Sequence, residues 1–375
     1  MFMAADTIIM YCAGDVGPNR DDPDSMFRTV APLLKEGDIG FCQLEVNFSM
    51  RGTPLPQARL PMRADPAGAR AMRDAGFHVV SFASNHCMDW GRDAFFDTID
   101  ALTKEKLAVI GVGSTLEEAR KPAVLECKGT RIAFLAYNSV LPMAYWAEEG
   151  RPGCVPLRAF TVYEQIEHDQ PGTPCRVHTF PHKADLTAMV DDIRKAKSQA
   201  DLVIVSTHWG VHFIPAVIAD YEKEIAHAAI DAGADLIVGH HPHILKGIEV
   251  YKGKVIFHSL SNFALELPFQ FDKKLRETAR HKEIQNLNPE WEADPEYPMP
   301  PDTRKTVLVK CVLSGKTIEK VSFLPTYLTT GAEPEFLTSG DIRFMEVIEY
   351  IEEITRSQGF DTRFILNGDE VVIGT

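Results

Sequence analysis

Three imidazoles fall within four residues at Gly239-His240-His241-Pro242-His243, directly after the apolar run Asp235-Leu236-Ile237-Val238. Core packing has no use for so many titratable rings at a strand end. A divalent cation does, because histidine is the commonest protein ligand for such ions and two rings at i and i+2 on extended backbone can face one ion. Pro242 removes a backbone donor and biases His241 toward extended backbone, so part of the geometry is set covalently. The stretch predicts metal ligation; the alternative is a polar loop after a buried strand.

A cation bound by imidazoles also needs oxygen donors, and the chain supplies them at regular places. Ile8 to Ala13 reads as a buried strand stopped by Gly14-Asp15, and Ile39 to Glu45 as a second strand ending in an acid. Asp after Gly is also an ordinary turn residue. In open α/β sheets, however, ligands bind beyond the carboxyl ends of the strands, and two successive strands present a carboxylate there. A third strand, Phe77 to Ala83, runs into Ser84-Asn85-His86-Cys87-Met88-Asp89. That order suits a ligand (Asn85), an acid or base (His86) and a carboxylate that orients the ring (Asp89). An Asx-type helix cap explains Asn85 or Asp89 equally well but leaves His86 without a role. Leu202 to Ser206 then delivers His208, and Val255 to Leu260 delivers Asn262.

The elements between these ends alternate. Helical spacing is predicted over Ser25–Lys35, Pro66–Ala75, Asp93–Leu102, Glu117–Arg120, Ala184–Ser198, Asp220–Ala232 and Ser339–Arg356. A further strand is expected at Leu107–Val112, hairpins at Ala123–Tyr137 and Val307–Leu324, and a closing strand near Val371. Residues 138–182 read as an irregular insert, either a lid over the site or a surface decoration, and 272–304 as a charged, proline-rich surface excursion. The whole of 1–375 is expected to form a single domain.

Composition bounds the function. A formal charge of −14 argues against a nucleic-acid partner, whose phosphate backbone is bound by surplus Lys and Arg. Seven scattered cysteines without a CxxC pair read as reduced thiols. No secretory signal is visible and no run is long and apolar enough to span a bilayer, so a cytoplasmic protein acting on a small-molecule or peptide-like substrate is expected.

The succession Gly14-Asp15, Leu44-Glu45, Ser84-Asn85-His86-Cys87-Met88-Asp89-Trp90-Gly91, His208-Trp209-Gly210, Gly239-His240-His241-Pro242-His243 and Ser259-Leu260-Ser261-Asn262-Phe263 resembles the CapA-like family of poly-gamma-glutamate capsule synthesis, within the calcineurin-like metallophosphatase superfamily. The resemblance runs from about residue 8 to 265. It implies an α/β four-layer sandwich, two mixed sheets flanked by helices, with one or two divalent ions (Mn, Zn or Fe) at the strand ends. It implies Asp15, Glu45, Asn85, His208, His241 and His243 as ligands, Glu45 as the bridge, His86 as general acid or as the group that stabilises developing charge, and Asp89 as its partner. The chain departs from the family at Gln43, where Asn is usual, at His212, where Glu is frequent, and at Ser261, commonly Gly. Gly17 stands where other metallophosphatases carry His.

A pair of such ions lowers the pKa of a water toward neutral and clamps an oxyanion. The expected activity is therefore metal-dependent hydrolysis of a phosphoester or of an amide or γ-glutamyl-type bond. Two alternatives stand beside it: an epimerase or lyase using His86 and His212 as paired acid and base, and a non-catalytic component of polymer synthesis.

Overall fold

The computed structural model describes residues 7–267, 299–374 and scattered positions between them. Two mixed sheets face each other, with helices outside, as expected. The larger sheet has ten strands among the described residues. Its path runs Arg363–Asn367, Glu370–Gly374, Thr317–Leu328, Lys305–Ser314, Ile8–Gly17, Ile39–Leu44, Val79–Ser81, Ala108–Ile110, and two short strands pair off this path. The six-stranded sheet runs Ile248–Tyr251, Lys254–Phe257, Leu236–His240, Leu202–His208, Thr130–Asn138, Ala123–Cys127. Its centre is parallel, which is why those strands read as unbroken apolar runs.

Side-chain alternation tells which face each strand buries. Ile132, Phe134, Ala136, Ile204, Leu236 and Val238 join the core between the sheets, where Phe134 stacks on Phe41 of the larger sheet at 6.2 Å. The intervening Ala133, Leu135, Val203, Val205 and Ile237 pack outward against the helices Lys183–Lys197 and Asp220–Ala232. A period of two with both phases apolar is the signature of strands buried on both sides. The sheets thus hold the ends of Ile8–Gly17, Ile39–Leu44, Leu202–His208 and Leu236–His240 at one rim.

Several expectations are corrected. The strand from Ile8 continues to Gly17, so Asp15 sits within it, where the pairing shifts register on both sides. The single helix expected over Ser25–Lys35 is a 3-10 turn, Pro23–Phe27, and a short helix, Ala31–Leu34, because Pro32 cannot donate and disfavours helical backbone before it. Asn262 does not extend the strand of Val255 but opens Asn262–Leu265, which crosses to the larger sheet and pairs with Asp15. The insert 138–182 is not irregular throughout. Ala159–Gln165 and Cys175–Pro181 form a hairpin that Tyr221 and Asp220 fasten to the neighbouring helix through Thr179. The expected excursion over 272–304 lies largely outside the described residues, of which Pro301–Arg304 is a 3-10 turn. No described helix is long and apolar enough to cross a membrane.

Candidate metal centre

Asp15, Glu45 and His208 are fully buried and bring ligand atoms within 4.8 Å of one another. Their neighbours show how this is arranged. Gly14 permits it: a Cβ there would stand 2.0 Å from the Ser261 carbonyl oxygen, which accepts the Asp15 backbone N–H at 3.0 Å. The Asp15 carboxylate accepts from the His241 backbone N–H at 3.3 Å and from His240 Nδ1 at 3.2 Å. His208 donates from Nε2 to the Asn85 amide oxygen at 2.6 Å, which fixes the tautomer and turns the Nδ1 lone pair toward Glu45 Oε1, 3.4 Å away. His243 donates from Nδ1 to Asn262 Oδ1 at 2.8 Å and lies 3.6 Å from Asp15 Oδ2.

The backbone of the histidine run differs from the expected extended form. His241 and His243 have φ of 96° and 59°, so a tight left-handed turn brings the rings to the rim. Non-glycine residues hold such angles only where their surroundings enforce them, and such residues cluster at functional sites. Ser261 is held similarly at φ 65°, a conformation that glycine adopts without strain.

The electrostatics suit a cation. Burial, and then the charge of Asp15, pushes the Glu45 carboxyl well above the ordinary range. Burial, and then neighbouring imidazoles, holds His208 and His241 well below theirs, and burial also lowers His243. Glu45 Oε2, His208 Nδ1 and His241 Nδ1 are buried and make no hydrogen bond. Two buried carboxylates beside neutral, lone-pair-bearing imidazoles suit a divalent ion and little else. Oxygen and nitrogen donors without thiolate suit Mn, Zn or Fe. The imidazoles are held toward neutrality and the Glu45 carboxyl is raised, so the proton that metal would displace is expected to come from Glu45. Loading near neutral pH is therefore expected to release about one proton per ion, read by calorimetry in buffers of different ionisation enthalpy, with the release lost in Glu45→Gln.

Beside the centre, His86 donates from Nδ1 to Asp89 Oδ2 at 2.6 Å. Its side chain is 15% exposed, leaving Nε2 for a substrate. Asp89 also accepts from the Met62 backbone at 2.9 Å and from the Tyr145 hydroxyl at 3.1 Å. His86, Asp89, Asn85, His212, His241 and His243 share one cavity of about 710 Å³. The ring of His212 stacks on His241 with centroids 3.8 Å apart, and Gln43 Nε2 reaches Glu45 Oε1 at 3.4 Å, so both unusual residues do lie beside the centre.

Sequence reading missed His240 as a partner of Asp15 and Tyr145 as a support for Asp89. The first was signalled by the histidine run itself; no local signal marks the second, which comes from the insert. Arg63 lies over the Trp90 ring at 3.8 Å, and Lys246 is buried, donating to the carbonyls of Ile214 and Val217.

Residues 3–266 match the family described as bacterial capsule synthesis protein PGA_cap. The PGA biosynthesis protein CapA of Bacillus subtilis is 30% identical over 246 residues, 65% of this chain and 57% of that protein. The capsule biosynthesis protein CapA of Bacillus anthracis is 29% identical over 251 residues, 66% of this chain and 55% of that one. The chain thus spans somewhat over half the length of these relatives. A solved Staphylococcus aureus chain described as a candidate 5'-nucleotidase in complex with alpha-ketoglutarate superposes with a TM-score of 0.44 at 12% identity, covering 92% of this chain and 58% of that one. With the family match covering most of its length, the chain belongs to the bacterial capsule synthesis PGA_cap family.

Proposed function

We propose that this protein is a metal-dependent hydrolase that cleaves a phosphoester or an amide of γ-glutamyl type. The observation that carries the reading is the convergence of Asp15, Glu45 and His208, with buried ligand atoms that make no hydrogen bond, beside the His86–Asp89 pair. When bound, one or two divalent ions would acidify a water and stabilise charge building on an oxyanion.

The chain's own groups do the rest. Asp15 and Glu45 supply the negative charge that holds the ion, with Glu45 the candidate bridge. His208, His241 and His243 supply neutral nitrogens, and Asn85 fixes the His208 tautomer. Asp89 holds the His86 Nδ1 proton, so the Nε2 proton of the protonated ring is the one handed to the departing oxygen or nitrogen. The leaving group then departs neutral, and solvent returns the proton to Nε2.

The names of the relatives support a reading in which the reaction belongs to the making or trimming of a capsule-type polymer. The acid–base pairing of His86 with His212 has less support, since His212 is packed onto the ligand ring of His241. A cytoplasmic site fits the seven unbridged cysteines.

The test is metal analysis of purified protein, followed by phosphoester, γ-glutamyl and peptide substrates with the bound ion present. Turnover by wild type that Glu45→Ala lacks supports the reading. Identical inactivity of both proteins on every substrate removes it.

A further inference from the structure

The segment Leu55–Met62 is a closed loop whose two ends rest on one residue. The Leu55 backbone N–H donates to the Asp89 carbonyl at 2.8 Å, and the Met62 N–H donates to Asp89 Oδ2 at 2.9 Å. Between them, Ala58 N–H closes back on the Leu55 carbonyl at 2.9 Å. Arg59 projects from the middle of this loop and lines the cavity. It is exposed, it makes no ion pair or hydrogen bond among the described residues, and no other Lys or Arg among them lines the cavity. Leu141, Pro142, Phe213 and Met299 add apolar wall to the same cavity.

A guanidinium without a carboxylate partner is conspicuous in a chain of net charge −14. Its planar fork matches a carboxylate or phosphate-type anion with two parallel hydrogen bonds. The loop's anchors give it a direction. Asp89 holds both ends of the loop and the His86 ring, so the backbone that carries Arg59 is tied to the proton donor, while Asp15 and His208 lie in strands of the two sheets and Glu45 directly follows one. We propose that Arg59 binds an anionic group on the portion of the substrate that leaves past His86, so that the leaving group carries a carboxylate or a phosphate-type anion. This rests on the hydrolase reading and adds the substrate class.

The experiment compares substrates matched in everything but the leaving group: γ-glutamyl amides of para-aminobenzoate and of aniline, and phosphomonoesters of para-hydroxybenzoate and of phenol. Metal-loaded wild type is expected to favour the carboxylated member about tenfold in kcat/KM, and Arg59→Gln to lose that preference, with Arg59→Lys retaining part of it. Equilibrium binding of para-aminobenzoate, para-aminophenylphosphonate and aniline, followed by NMR, gives a readout that needs no turnover. The two anions distinguish carboxylate from phosphate-type recognition, and both should outbind aniline on wild type but not on Arg59→Gln. A wild type without that preference, or an Arg59→Gln that keeps it, overturns the proposal. If no substrate turns over, the hydrolase reading fails, and the binding comparison alone decides whether Arg59 takes an anion.

Discussion

Glu45→Gln is expected to lower activity by about 10³-fold, the several kcal/mol of charge stabilisation that a bound ion contributes, and to remove bound metal in the same preparation. The substitution keeps shape and takes away only charge. Glu45 is fully buried, and its carboxyl is raised by burial and by Asp15, so the metal-free fold must take up a proton to bury it and gains from its replacement by a neutral amide. Thermal unfolding of the metal-free variant should therefore come at or above the wild-type temperature, while the rise that added metal gives wild type disappears. That rise amounts to about 2.7 kcal/mol when the ion is present at roughly a hundred times its dissociation constant. Elemental analysis, turnover and melting curves on the same samples separate a lost ion from a lost fold. A Glu45→Gln protein that keeps full metal stoichiometry would remove Glu45 from the ligand set.

What the chain reveals before its structure is known is mostly what its strands end in. Asp15, Glu45, Asn85, His208 and the histidine run are all read as ligand-capable residues after apolar stretches, and the sandwich brings them to one rim. That was legible because parallel strands buried on both faces are locally conspicuous and finish on one side. The backbone of the histidine run was not legible. Proline statistics favour extended backbone at His241, yet φ there is 96°, because the backbone N–H must reach Asp15 Oδ2 and the turn is fixed by strands far away in sequence. Asn262 was placed at the end of the wrong strand for the same reason: nothing between Phe257 and Asn262 announces a crossing between sheets.

Gly17 shows the opposite case. The resemblance to metallophosphatases, which carry His there, suggested a missing ligand, and the structure shows the position filled: a Cβ there would stand 2.6 Å from Val46 Cγ1 and 2.7 Å from Leu265 Cδ1. Packing has closed that position to any imidazole. The Asp15 side of the centre instead draws on His240, whose Nδ1 reaches Asp15 Oδ1. The insert was the least legible part. Its proline, glycine and aromatic content reads as loop, and that hides both the hairpin and Tyr145, whose contact with Asp89 spans 56 residues of sequence.

His86→Gln is expected to lower kcat by about 10²–10⁴-fold, the usual worth of a positioned general acid, with metal content unchanged. The two effects separate because His86 donates to Asp89, not to Asp15, Glu45 or His208. The loss should depend on the leaving group. An alkoxide or amide anion needs the Nε2 proton to depart, whereas a nitrophenolate leaves without one, so nitrophenyl substrates should lose far less than alkyl esters or peptides. Asp89→Asn should follow the same pattern with added loss of affinity, since Asp89 also holds the Met62 end of the loop lining the cavity. Tyr145→Phe removes one hydrogen bond to Asp89 and should be the mildest of the three. An equal loss for good and poor leaving groups in His86→Gln would assign the ring to charge stabilisation instead of proton donation, and a loss of metal would make it a ligand.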